Sequence, residues 1–162
     1  MKVKLIFSLF VFVLLIFDNN SNAQSGKVPP FRIIQPNGKI FKAENLPFEK
    51  PILIVYFSPD CEDCQEFTEG LLAHNMELKN VSIALITYLP VEFVTQFVAK
   101  NNLKVYPNIY VGTEGNSLFI KNYYGIEQFP FVVLFNKNGD LIKKYSNREV
   151  NINDLLIQLK KL

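Results

Sequence analysis

The chain has no tryptophan, one histidine, two methionines and two cysteines in 162 residues. Each shortage closes off some chemistry. The lone histidine, His74, is too little for a copper-delivery site, which joins soft thiolates to imidazole. A zinc centre on the two thiols would need two more ligands from elsewhere or from a dimer. Neither a metal nor a cofactor is expected. A surplus of one charge is missing too. There are 17 Lys+Arg against 15 Asp+Glu, a net charge of +2, which does not suggest binding to nucleic acid or another polyanion. No internal repeat and no low-complexity tract is present. The chain also lacks a hydrophobic run long enough to cross a bilayer comfortably, which takes ~20 apolar residues.

The longest apolar stretch near the start runs from Leu5 to Phe17, broken only by Ser8. Lys2 and Lys4 precede it, and Ser21-Asn22-Ala23 follows with small residues where a signal peptidase reads. This pattern predicts a signal peptide over residues 1–23, cut between Ala23 and Gln24. The alternative is an uncleaved anchor, the one route by which the chain would stay on a membrane. Export places it in the periplasm or cell envelope of a Gram-negative cell, or otherwise outside the cell, where disulfides persist. Residues 24–30 read as a flexible leader and 31–162 as one domain of common size.

Apolar periodicity gives the elements. Phe31–Ile34 and Ile40–Phe41 flank Asn37-Gly38, a strong hairpin signal. Residues 52–57 (ILIVYF) form an unbroken apolar strand, as expected for burial on both faces. The pattern then predicts a helix over 61–78, a strand over 81–88 and a helix over 91–101. Next come a strand or extended segment over 105–111 and a short helix over 116–123. A strand over 131–135, a turn at 136–140, a returning strand over 141–145 and a helix over 152–162 complete the chain. Strands alternate with helices before the last hairpin. That order predicts an α/β sheet, parallel in the middle with an antiparallel edge.

The two cysteines present stand together as Cys61-Glu62-Asp63-Cys64, just after the strand and Ser58-Pro59-Asp60. A disulfide across two intervening residues closes too small a loop to constrain much of the unfolded chain. A strand, a turn and Cys-x-x-Cys opening a helix is instead a redox constellation. At a helix N-terminus, unpaired N–H groups and the dipole favour thiolate at Cys61. Cys64 follows on the same face, close enough in spacing to form a disulfide. Cys61 is the expected nucleophile and Cys64 the resolver. Asp60, Glu62 and Asp63 oppose the dipole, which predicts a comparatively stable disulfide and a reducing role. The same acids would also serve as ordinary helix N-terminal charge. Phe129-Pro130 lies directly before the strand at 131, a permitted place for proline.

Together these residues resemble the thioredoxin superfamily, and within it the exported TlpA-like thiol-disulfide oxidoreductases. The resemblance rests on Ile52-to-Cys64, on Phe129-Pro130 with Phe131–Phe135, Gly139 and Leu141-Ile142, and on Tyr124-Gly125-Ile126. The Asn37-Gly38-Lys39 hairpin and the long gap from Cys61 to Pro130 support the branch. It implies a thioredoxin-like central mixed sheet flanked by helices, with an N-terminal hairpin and a strand–helix insertion around 101–124. It also implies a cis Pro130 beside the Cys61–Cys64 redox disulfide, and a Phe129 backbone that binds an extended substrate segment. Partners would be protein thiols and disulfides, with a membrane electron donor upstream. Two positions depart from the family. Asp60 stands where Trp is common, and Val55 stands where many thioredoxins bury an acid.

Two rival readings remain. A non-catalytic binding module of the same fold would tolerate both departures. A peroxiredoxin-like peroxidase matches Ser58, three residues before Cys61, but has Ile54 where that family has proline. Tyr106, Tyr110, Tyr123 and Tyr124 cluster in the insertion and read first as core packing.

Overall fold

The computed structural model describes residues 26–162. The expected signal peptide and its cleavage site lie outside the described residues. Strands β1 (Arg32–Ile34) and β2 (Ile40–Lys42) form the N-terminal hairpin. Its turn closes where Gln35 N–H donates to Lys39 O, with Gly38 at a φ of +77° that favours glycine. The elements after it are β3 (Ile52–Tyr56), α1 (Glu62–Ala73), α2 (Asn75–Leu78), β4 (Ser82–Thr87) and α3 (Val91–Lys100). Then come β5 (Ile109–Thr113), α4 (Phe119–Tyr124), β6 (Phe131–Phe135), β7 (Leu141–Ser146) and α5 (Ile152–Leu159).

These strands make one sheet in the order β2-β1-β5-β4-β3-β6-β7. The centre, β5-β4-β3, is parallel, and both margins are antiparallel. Every residue of β3 and β4 is buried, as their apolar runs require. Alternation along β3 divides the core in two. Leu53, Val55 and Phe57 join the layer that holds Cys64, Phe67 and Leu71 of α1, Val94 and Phe97 of α3, and Leu155 of α5. Ile52, Ile54 and Tyr56 join Phe31, Ile33, Ile120 and Phe135 on the other face. Full burial of each large apolar side chain is worth ~1.5–3 kcal/mol, so this central sheet is a rigid base for the loops at its end.

Several expected boundaries shift, among them the end of the last helix, at Leu159 rather than Leu162. The helix over 61–78 breaks at His74, where the Asn75 side-chain amide also donates to Leu72 O at 2.9 Å, at the end of the helix. The strand expected from 105 begins at 109, because a 3₁₀ turn spans Leu103–Val105 and Pro107 brings no N–H to a ladder. The helix expected from 116 begins at 119, after a 3₁₀ turn and Leu118 at a φ of +46°. The insertion region 101–124 nevertheless holds one strand and one helix, β5 and α4. Of the leader, Gly26–Val28 lies along the β6–β7 turn. Val28 N–H donates to Gly139 O and Leu141 N–H to Gly26 O, and Lys27 pairs with Asp140.

Of the insertion's tyrosines, Tyr106, Tyr110 and Tyr124 are half-buried against the core, while Tyr123, also half-buried, meets Phe119 and Tyr124. Tyr110 stacks on Phe41 at 4.4 Å between ring centroids, and Tyr124 meets Phe131 at 5.4 Å. Gly70, in the interior of α1, faces Ile152 of α5. A Cβ there would stand 3.0 Å from Ile152 Cγ1, so the glycine allows the two helices to approach closely.

Candidate active site

Parallel sheets gather loops at the carboxyl ends of their strands. Here β3 ends at Tyr56, and Ser58-Pro59-Asp60 turns the chain into α1. Cys61 is the N-cap of that helix, in an extended conformation that starts the turn. Its N–H donates to Ser58 O at 3.1 Å, and its sulfur accepts from Cys64 N–H at 3.3 Å. The sulfur thus does the work usually done by a Ser or Asp oxygen at this position. Both thiols are free. Cys61 is partly exposed, while Cys64 is 1% exposed and packed with Phe67 and Leu71.

Burial is the main cause that pushes the Cys64 thiol far above its ordinary value, and its hydrogen bond to Cys61 adds to the rise. A backbone hydrogen bond at Ser58 works the other way. The inner thiol therefore keeps its proton until something takes it. Asp60, Glu62 and Asp63 are exposed to solvent, which screens them. Asp60 is engaged by the Ser58 hydroxyl.

The loop has a brace that sequence reasoning did not find. Gln65 Nε2 donates to Pro59 O at 3.1 Å, and Lys100 Nζ at the end of α3 donates to Gln65 Oε1 at 2.6 Å. No local pattern marks it, because the partners are 35 residues apart.

Phe129 and Pro130 arrive from the other side. The antiparallel pairing of β3 with β6 sets Tyr56 opposite Phe131, so Pro130 stands beside the end of β3. The Phe129–Pro130 peptide is cis. Pro130 is buried, and its carbonyl accepts from Asn147 N–H at 2.8 Å. Phe129 is partly exposed and touches both core layers. A groove of about 710 Å³ runs between α1 and the start of α5, lined by Asp63, Glu66, Phe67, Pro130, Asn147 and Asn151 among others. The fold thus brings all four candidate residues, Cys61, Cys64, Phe129 and Pro130, to one end of the sheet. His74 stays apart at the far end of α1, with its Nδ1 3.3 Å from Glu77 Oε1.

One neighbourhood was not legible beforehand. The Tyr56 hydroxyl donates to Glu114 Oε1 at 2.7 Å, and the Tyr56 ring lies 5.8 Å from that of Phe129. In the sequence, Glu114 lies just ahead of the expected helix over 116–123 and carries no motif that marks it.

Comparison with known proteins agrees with this architecture. A secreted Mycobacterium tuberculosis disulfide oxidoreductase homologous to E. coli DsbE superposes with a TM-score of 0.68 at 20% identity, over 82% of this chain and 96% of that one. A thiol-disulfide oxidoreductase from Bacteroides fragilis gives 0.67 at 17% identity, over 83% and 98%. A putative thioredoxin from Neisseria meningitidis gives 0.65 at 22% identity, over 85% and 89%. No curated protein shows a significant match. The model of the thioredoxin-like domain family matches residues 40–161, most of the chain. With that match and this sheet, the chain belongs to the thioredoxin-like domain family.

Proposed function

We propose that this protein is an exported thiol-disulfide oxidoreductase that reduces protein disulfides, or relays electrons to them, through Cys61 and Cys64. One observation carries the reading. A partly exposed Cys61 sulfur caps α1 beside a buried Cys64, whose thiol burial holds above its ordinary value, and α1 shares a groove with Pro130. The Cys61 thiolate attacks one sulfur of a substrate disulfide. A mixed disulfide forms and the other substrate sulfur leaves as thiolate. Cys64 then gives up its proton and attacks Cys61 Sγ. The Cys61–Cys64 disulfide forms and the second substrate thiolate leaves. Two electrons pass to the substrate, and an upstream dithiol donor restores the pair.

In this reading the backbone of Phe129, next to Pro130, receives the extended substrate segment. Val55 supplies no acid to take the proton of Cys64, so Glu62, Asp63, Glu66 or water serves. The acidic Glu62-Asp63 pair leans the site toward reduction, Asp63 adding to the causes that disfavour negative charge on Cys64. The expected signal peptide over residues 1–23 supports export, as does the likeness to a secreted disulfide oxidoreductase.

The binding-module reading keeps some support from Asp60 and Val55. A Cys64→Ser variant in the native organism separates the two. An oxidoreductase accumulates mixed disulfides through Cys61, and the wild-type protein reduces insulin disulfides. Absence of both results would leave the binding module.

A further inference from the structure

Glu114 is a carboxylate, 7% exposed, for which the thiol chemistry has no use. It follows β5, and its N–H donates to Thr87 O at 2.8 Å. Oε1 accepts from the Tyr56 hydroxyl at 2.7 Å, and Oε2 accepts from Ile120 N–H at 2.8 Å. Lys121 N–H also reaches Oε1, at 3.4 Å. Tyr56 is fully buried. Burial, then the bond to Glu114, pushes its phenol far above the ordinary value, so the hydroxyl remains a donor.

The Tyr56 ring packs against two others, Phe129 at 5.8 Å and Tyr88 at 6.5 Å, which are themselves 5.9 Å apart. Lys121 Nζ lies 5.4 Å over the Tyr88 ring. The contacts close a circuit. It runs from Glu114 to Tyr56, to Phe129 and Tyr88, to Lys121 and back to Glu114. The circuit joins the central insertion to the residue before Pro130. A buried carboxylate is costly to hold unless hydrogen bonds satisfy it, and a charge-assisted bond fixes its partner more firmly than apolar contact does.

We propose that Glu114 and Tyr56 are positioning residues for the substrate. They hold the Phe129 ring, and with it the peptide edge ahead of Pro130, so that an extended segment lies in register over Cys61. This rests on the oxidoreductase reading above. The role acts on a polypeptide that docks along the edge, and not on the sulfurs.

The test compares insulin with a small aromatic disulfide, dithiobis(nitrobenzoate), which has no peptide to dock. Tyr56→Phe removes the hydroxyl and keeps the ring, and Glu114→Gln weakens the same bond. Each should raise KM for insulin roughly fivefold, the loss of one net hydrogen bond's worth of positioning. Insulin kcat, the rate with the small disulfide and the reduction potential should hold at wild-type values. The double variant should lose less than the two single effects multiplied, because both act on the Tyr56–Glu114 bond. If Tyr56→Phe fails to fold, Tyr88→Leu removes a ring of the same circuit without burying an unpaired polar atom, and the same split is expected. KM for insulin within twofold of wild type, or equal losses on both substrates, would overturn the proposal. Wild-type protein inert toward both disulfides would overturn the oxidoreductase reading and this inference with it.

Discussion

The backbone N–H of Cys64 donates to the sulfur of Cys61 across 3.3 Å. The sulfur expected to attack a disulfide is therefore also the side-chain cap of α1, and chemistry and stability can be pulled apart at this residue. Serine caps helices well, whereas alanine leaves the N–H open at a cost of ~1 kcal/mol. Cys61→Ser should abolish insulin reduction and keep the melting temperature near that of the reduced wild type. Cys61→Ala should be equally inactive and melt about 3 °C lower. Calorimetry of the reduced proteins checks this, and equal melting of the two variants would contradict the capping role.

Gly70 should resist large side chains for a reason outside its own helix. Alanine there gains ~1 kcal/mol of helix propensity, offset by the shift its Cβ asks of Ile152 at 3.0 Å. Gly70→Ala should thus be close to neutral. Gly70→Leu should cost ~1–3 kcal/mol by overpacking. Adding Ile152→Ala to Gly70→Leu should recover part of that loss in urea unfolding. A simple sum of the two single effects would show that the helices do not meet there.

The buried thiol and phenol make the reduced protein sensitive to alkali. Cys64 and Tyr56 both have folded-state values raised above their ordinary 9.0 and 10.0. A raised folded value means that the native state holds its proton more tightly than the unfolded chain. Their contribution is fully present below pH 9 and is lost as pH rises past the unfolded values. Stability should fall by up to about 1.4 kcal/mol per pH unit for each group. Urea midpoints of the reduced protein at pH 8, 9 and 10 check the sign. In Cys64→Ser the decline from pH 9 to 10 should be shallower by one proton's worth.

Much of the fold was legible because its signals are local. Three apolar runs became β3, β4 and β6, the segment returning after the Asn138-Gly139 turn became β7, and Asn37-Gly38 became the first hairpin turn. The boundaries that moved did so through contacts that composition does not show. The Asn75 side chain ended α1 early, and a 3₁₀ turn ahead of Pro107 delayed β5. The candidate site was legible only in part. Cys61 and Cys64 stood out by spacing, whereas Phe129-Pro130 entered the candidate site through the resemblance to thioredoxins. Tyr56 and Glu114 did not, since they lie 58 residues apart and neither carries a motif.

By itself the sequence determined which strands would be buried and that the two thiols would stand at the start of a helix, as candidates for redox chemistry. Apolar period and residue spacing are properties of neighbours along the chain, and they survive without a fold. Tertiary structure decided the rest. Strand order placed Pro130 beside the end of β3. Packing buried Cys64 and left Cys61 partly open. The approach of β5 and α4 to β3 gave Tyr56 a carboxylate partner and set Phe129 between two core layers. Those are relations between segments far apart in the chain. Only the burial of both faces of one sheet brings them within hydrogen-bonding and packing distance.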